Sequence, residues 1–211
     1  AAGEFKSKPA QHSMKELRSI GLFPQMVILR AENEIDESIL DKIALFGNVP
    51  RKNVFQSIDL DSIYKVPLNL YNQKMDERII QLLGIWAARP QISDLEKVVY
   101  NFDNPLKTIK IGVVGKYTEL TESYKSLDEA LRHGAIANQV KLELTYIDSE
   151  ELEQSQDMSI LKTVSGILVP GGFGSRGTEG KIKAIKFARE NNIPFFGICL
   201  GLQMAVIEFA R

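Results

Sequence analysis

Cys199 is the only cysteine in the chain, and it stands in the pentapeptide Gly197-Ile198-Cys199-Leu200-Gly201. This is the spacing of a nucleophile elbow, G-x-S-x-G, with cysteine in place of serine, set between an apolar strand pattern and an apolar helix pattern. Glycines two residues to either side permit a turn too tight for side chains, which lifts the sulfur above the edge of a sheet. The same turn puts the thiol at a helix N-terminus, where unpaired N–H groups and the helix dipole favour the thiolate. A free cysteine titrates near about 8.5, and such surroundings can lower that to roughly 3.5–7.5. A lone cysteine is more often a small buried apolar side chain; the flanking glycines and the strand-to-helix placement favour the nucleophile.

A thiolate that attacks an amide needs donors for the oxyanion, each worth about 2.7–4 kcal/mol where tested by mutation. The Leu200 N–H follows the nucleophile directly. Gly171-Gly172-Phe173-Gly174, at the end of the preceding apolar strand, can bring a bare backbone N–H close to a substrate. Taken alone, that loop fits a phosphate cradle or an ordinary turn equally well; with the elbow one strand away, it fits an oxyanion hole. A second chemistry is suggested by Lys6-Ser7-Lys8-Pro9-Ala10-Gln11, two lysines in a loop before a helix start, a combination suited to phosphate oxygens. An ammonium–phosphate contact at about 4 Å is worth ~1 kcal/mol in water and ~4 kcal/mol at a protein surface, so two lysines without a shaped pocket decide little.

The elements that must hold these groups read as two α/β halves. In the first, Ser13-Met14-Lys15-Glu16 predicts a capping box that opens a helix ending near Gly21, and residues 26–29 predict a strand. A helix from about Asp36, with Ile39, Leu40, Ile43, Ala44 and Phe46 on one side, is expected to stop at Gly47; a strand over 54–58 follows. Between Gln81 and Leu106 the pattern weakens apart from a short helix from Ser93, and Asp103-Asn104-Pro105 breaks it, so the boundary falls there, giving domains 1–102 and 103–211. The second half predicts strands over 109–114, 140–147, 167–169 and 194–198. Between them come helices over 127–137, with Leu127, Ala130, Leu131, Gly134 and Ala137 inward, and 181–190, with Ile182, Ile185 and Ala188 inward. Strands separated by amphipathic helices pair in parallel, so the expected class is α/β with two doubly wound, mostly parallel open sheets whose sites lie beyond the carboxyl ends of the strands.

Composition bounds the function. The 211 residues, 44% apolar and 25% charged, describe a globular chain, and 26 basic against 27 acidic residues leave no global field for nucleic acid or an anionic membrane. No apolar run approaches the ~20 residues that span a bilayer. One cysteine forms no internal disulfide, and no signal peptide opens the sequence, so the cytoplasm is the expected compartment. The chain begins without methionine and closes inside a helical pattern, so it reads as a segment of a longer one.

Pro170-Gly171-Gly172-Phe173-Gly174, with Cys199 25 residues after Gly174, resembles the class-I, triad-type glutamine amidotransferases. In that family the cysteine attacks the glutamine side-chain amide, ammonia leaves, and water cleaves the glutamyl thioester. The family's histidine and glutamate partners lie near the end of the domain, and no position here matches them. His12 and His133, the only histidines, read as structural or surface residues. Residues 3–17, with their K-x-K-P-x-Q-H-S run, resemble the stretch of the CTP synthase family that grips the triphosphate of UTP or of the inhibitor CTP. Lys42-Ile43-Ala44-Leu45-Phe46, Asp61-Ser62-Ile63-Tyr64-Lys65-Val66-Pro67 and Arg189-Glu190-Asn191-Asn192-Ile193-Pro194 resemble further motifs of that family, so the similarity covers essentially the whole chain.

The resemblance carries expectations by position. Lys6, Ser7, Lys8, Pro9, Ala10, Gln11 and Lys42 would bind UTP or CTP, and Ile58, Asp59 and Leu60 would lie near the ATP adenine. Gly171, Gly172, Leu200, Gly201, Leu202 and Gln203 would form the oxyanion and glutamine site, while Phe173 and Arg176 would contact the activator GTP. The family pattern has threonine where this chain has Ser7 and Ala10, at the expense of a phosphate contact at the second position. Its phosphate loop and Mg2+-binding carboxylates have no counterpart here, so no metal site is expected in this segment. The implied reaction is phosphorylation of UTP at O4 by MgATP, then displacement of that phosphate by ammonia from glutamine, within a homotetramer. Residues 1–102 would be the C-terminal part of the nucleotide-binding synthetase domain with its linker, and 103–211 the N-terminal part of the glutaminase domain. The alternatives are an amidotransferase with another acceptor and a non-catalytic nucleotide-binding or assembly module.

Overall fold

A computed structural model of the protein describes residues 6–116, 124–172 and 174–211, and the chain divides into two compact units, 1–99 and 100–211. In the first unit, α1 (Lys8–Ser19), β1 (Val27–Ala31), α2 (Glu37–Gly47) and β2 (Val54–Ile58) precede two short helices, α3 (Val66–Asn72) and α4 (Met75–Leu83). The α2 crossover makes β1 and β2 parallel, with Val27 opposite Val54 and Ala31 opposite Ile58. Met14, Ile35, Leu40, Ile43, Ala44, Val49 and Val54 close one apolar core. At the edge of β2, the Gln73 amide donates to the Gln56 carbonyl at 2.7 Å and accepts from the Gln56 N–H at 3.0 Å, so a side chain stands in for a third strand.

Three local expectations are corrected here. α1 begins at Lys8, with Ser7 at the N-cap and Pro9 in the first turn; the Ser13 hydroxyl lies inside the helix and donates to the Pro9 carbonyl at 3.1 Å. Proline pre-set for a first turn is the stronger start signal, and the Ser13-to-Glu16 spacing only imitates a cap. Lys8 to Gln11 are therefore helical, and Lys6 alone precedes the helix cap. The stop of α2 is Asn48, left-handed at φ 52°, whose N–H reaches the Ala44 and Leu45 carbonyls. Gly47 is the last helical residue, and its smallness serves Met14, whose Sδ would lie 2.6 Å from a Cβ there. Phe46, expected inward, is exposed.

Helix α5 (Ser93–Asp103) leads into the second unit, which contains β3 (Lys107–Gly115), α6 (Lys125–Ala137), β4 (Val140–Asp148), α7 (Ser149–Gln154), β5 (Gly166–Val169), α8 (Thr178–Glu190), β6 (Phe195–Gly197) and α9 (Leu200–Ala210). The four strands form one parallel sheet in the order β4-β3-β5-β6. All four residues of β5 are buried, as its place between two strands and two helical layers requires. Val114, Ile147, Leu161, Ile167, Val169, Ile185 and Ala188 are among the core residues.

On α6 the buried residues are Ala135 and Ile136, whereas Ala130, Gly134 and Ala137 face solvent. A count of aliphatic residues misplaces this face because Asp128 belongs to it: its carboxylate accepts from the Tyr146 hydroxyl at 2.5 Å. Burial and that carboxylate both raise the Tyr146 pKa far above the ordinary phenol. The chain runs from β3 outward to β4 and then returns to place β5 on the other side of β3. The carboxyl ends of β3 and β5 thus flank the point where strand order reverses, which is where open α/β sheets bind ligands.

Candidate functional site

At the end of β6 the chain turns through Cys199 at φ 51° and ψ −105° into α9. L-residues rarely adopt this conformation, and holding one there costs of order 1–3 kcal/mol. The neighbours that permit the turn are glycines by necessity. A Cβ on Gly197 would meet the Gly201 carbonyl carbon at 2.6 Å, and one on Gly201 would overlap the Val169 carbonyl oxygen. Backbone bonds hold the corner to the sheet: Ile198 N–H reaches the Val169 carbonyl at 3.0 Å, and Gln203 N–H caps onto the Cys199 carbonyl at 3.1 Å. The thiol is exposed.

The glycine loop leaves β5 directly beside this corner. A Cβ on Gly171 would stand 3.6 Å from the Cys199 Cβ, and one on Gly172 would stand 3.6 Å from Leu200 Cδ2. Gly171, Gly172 and Leu200 are therefore gathered around Cys199, and the Leu200 N–H, first in α9, has no partner within its helix. Gly201 is buried against Val169 beneath the turn, while Leu202 and Gln203 are exposed on α9. Arg176 is exposed and paired with Glu150 at 2.9 Å; Phe173 and residues 3–5 lie outside the described residues.

One group in this neighbourhood is missing from the sequence reading. Lys181, on α8, is 2% exposed. Its Nζ would be 3.7 Å from a Gly172 Cβ, and the Nζ of Lys116, just past β3, would be 3.6 Å from a Gly174 Cβ. Burial, and then the Lys116 charge, lower the Lys181 pKa. A signal was present: Lys181 is in register i, i+4, i+7 with Ile185 and Ala188 on the inward stripe of α8.

By topology His133 stands away from the thiol. His133 lies on α6, which packs on β4, and β4 is three strands away from β6 at about 4.8 Å per strand. His12 is exposed on α1 in the first unit, 3.9 Å from Glu16.

In the first unit, Gln11 Nε2 donates to the Ser7 hydroxyl at 3.0 Å across the first turn of α1, while Lys6 and Lys8 are exposed. Ala10 packs against the apolar cluster, so that position serves the core. Lys42 is exposed on α2, the helix that Met14 of α1 contacts. Ile58 ends β2, and Asp59 and Leu60 follow it at the carboxyl edge. There the Asp59 carboxylate accepts from Arg30 at 3.1 Å, a strand-end cation that the sequence reading passed over. Among the described residues, no group of three or more His, Cys, Asp or Glu side chains is placed to hold a metal ion, and no helix is long and apolar enough to cross a membrane.

The strained cysteine corner and its glycine loop sit in a segment, residues 119–211, that matches the family model of class-I glutamine amidotransferases. The rest of the chain narrows the class, since residues 1–85 match the family model of the CTP synthase N-terminus. The chain is 53% identical over 210 residues to a CTP synthase of Desulfotalea psychrophila, covering 100% of this chain and 38% of that protein. It is 54% identical over 211 residues to a CTP synthase of Geobacter metallireducens, covering 100% of this chain and 39% of that protein. A solved structure, the glutaminase domain of Trypanosoma brucei CTPS with bound acivicin, is 47% identical, with a TM-score of 0.45 and coverage of 49% of this chain and 40% of that chain. The chain belongs to the CTP synthase family and spans roughly two-fifths of the length of the curated relatives it matches.

Proposed function

We propose that the whole protein aminates UTP to CTP at the expense of ATP, with ammonia released from glutamine at Cys199. The observation that carries the glutaminase reading is the strained elbow with Gly171 packed against it. The Cys199 thiolate adds to the glutamine carboxamide carbon, the carbonyl π pair moves to oxygen, and the Leu200 N–H and the Gly171–Gly172 backbone are placed to hold that oxyanion. Collapse breaks the C–N bond and expels ammonia, the nitrogen taking its proton from the acid that the family's histidine would supply in the whole protein, and water then cleaves the thioester to glutamate and the Cys199 thiolate. Leu202 and Gln203, one turn into α9, would contact the bound glutamine; Gly201 serves the turn itself.

In the first unit, Lys6, Ser7, Lys8 and Gln11 at the start of α1, with Lys42 on α2, would take the triphosphate of UTP or of the inhibitor CTP, a helix N-terminus being suited to phosphate. Ile58, Asp59 and Leu60, at the carboxyl edge of β1 and β2, would face ATP, with Arg30 holding Asp59 in place. GTP activation through Phe173 and Arg176 would require Arg176 to leave Glu150. Residues 1–102 form part of the synthetase and 103–211 part of the glutaminase, in a cytoplasmic homotetramer.

The test is covalent labelling of the full-length protein with a glutamine-analogue chloroketone, read by peptide mass spectrometry, together with competition between UTP and XMP. Selective adduction at Cys199, and binding of UTP in preference to XMP, are expected. Labelling that ignores Cys199, or binding of XMP in preference to UTP, would overturn the assignment. The 211-residue chain alone should form no CTP and hydrolyse glutamine negligibly, since the family's phosphate loop and the histidine that partners its cysteine have no counterpart in this sequence.

A further inference from the structure

We infer that Lys181 is a positioning residue of the glutaminase site, a cation stored beneath the glycine loop to orient its peptides and to favour negative charge in the hole above them. This rests on the reading of Cys199 as the glutamine nucleophile. Lysine is almost never fully buried unless paired. Lys181 is 2% exposed, and no carboxylate or hydrogen-bond acceptor among the described residues engages its ammonium. What it lies against is the loop, 3.7 Å from where a Gly172 Cβ would be, on a backbone where a Cβ at Gly171 would stand 3.6 Å from Cys199 Cβ and one at Gly172 3.6 Å from Leu200 Cδ2. Ile182, Ala184 and Ile185 on the same helix are buried, and Leu200 of α9 lies beside Gly172 as Lys181 does. The one other charge acting on it is Lys116, which makes its environment still less hospitable to a cation.

A buried, unpaired ammonium destabilises a fold, so its value must lie elsewhere. Placed under a peptide loop, it attracts the carbonyl oxygens and leaves the N–H groups turned toward the opposite side, where Cys199 stands. It also lies close enough to an oxyanion in the hole to interact through a medium poor in water. Both effects grow as charge develops on the substrate oxygen and are small for neutral bound glutamine, so they act on turnover and not on binding.

The experiment compares wild type, Lys181→Met and Lys181→Arg in the full-length protein, measuring glutamine hydrolysis and thermal stability. Methionine keeps the length and the apolar stem without the charge. Lys181→Met should lower kcat about ten-fold, about 1.4 kcal/mol at 1.36 kcal/mol per decade, with KM for glutamine changed less than about two-fold. Its Tm should be equal to or above wild type, and Lys181→Arg should recover most of kcat. An unchanged kcat in Lys181→Met, or a loss of kcat that tracks a lower Tm and is not recovered by arginine, would overturn the inference while leaving Cys199 as the nucleophile. A wild-type protein whose Cys199 does not react with the glutamine analogue would overturn both.

Discussion

The conformation of Cys199 makes a prediction about stability that runs against ordinary expectation. At the start of a helix, glycine is normally less stable than alanine by about 0.5–1 kcal/mol, because glycine loses more backbone freedom on folding. At φ 51° and ψ −105°, however, any residue with a Cβ is strained by about 1–3 kcal/mol. Glycine escapes that strain. Taking the centres of the two ranges, about 2 less about 0.8, Cys199→Gly should exceed Cys199→Ala in stability by about 1 kcal/mol, or about 4 °C for a unit of this size. Both variants lose the thiol, which is exposed and contributes little packing, so their difference isolates the backbone. Urea denaturation and thermal scans of the pair measure it directly. If the alanine variant is as stable as the glycine variant or more so, the turn is not strained, and the account of how the sulfur is presented fails.

The flanking and distant glycines should separate in sign under the same assay. Gly201→Ala drives a methyl into the Val169 carbonyl, which neither β5 nor α9 can vacate cheaply, and should cost about 3 kcal/mol. Gly134→Ala, on the open face of α6 with nothing within 4 Å, should instead stabilise by about 0.5–1 kcal/mol. A third outcome concerns acid. Glu208 on α9 is buried and accepts a two-pronged bond from Arg189 on α8, and that hydrogen bond holds its pKa below the ordinary glutamate value. The unfolded chain then binds the proton more readily, so the stabilisation is present above the ordinary glutamate value and is lost as pH falls below it. Glu208→Gln should flatten stability against pH across that window, and an unchanged pH slope would show that the pair does not contribute.

The corner at Cys199 was legible because its requirements are local. Two glycines, a cysteine between them and an apolar strand before them describe a corner that hardly any other residues can make, and the structure shows both glycines pressed against backbone atoms. The parallel strands were legible for a related reason: Gly166–Val169 is a short apolar run and Val54–Ile58 a short segment opened by two apolar residues, both bounded by turn residues, so their length leaves few alternatives. What escaped was settled by contacts between segments distant in sequence. The inward face of α6 turns on a bond from Asp128 to Tyr146, 18 residues away, which makes an acidic residue part of an apolar face. α3 and α4 went unnamed because β2's edge is satisfied by Gln73, a polar side chain whose role appears only when its amide is seen paired with Gln56.

Lys181 is the sharpest case, because the sequence carried the signal and ordinary weighting discarded it. A lysine on the inward stripe of α8, spaced i, i+4, i+7 with Ile185 and Ala188, is normally resolved by letting the long side chain reach the surface. Here the stem has nowhere to go. Gly177 and Gly180 are both buried against Ser149, so the start of α8 is pinned beneath the turn into α7, and the ammonium is left under the loop that frames Cys199. A helix that only needed to cover the sheet would gain stability by carrying methionine at that position. A buried charge there, beside a backbone proposed to stabilise an oxyanion, is the pattern expected where stability is given up for chemistry.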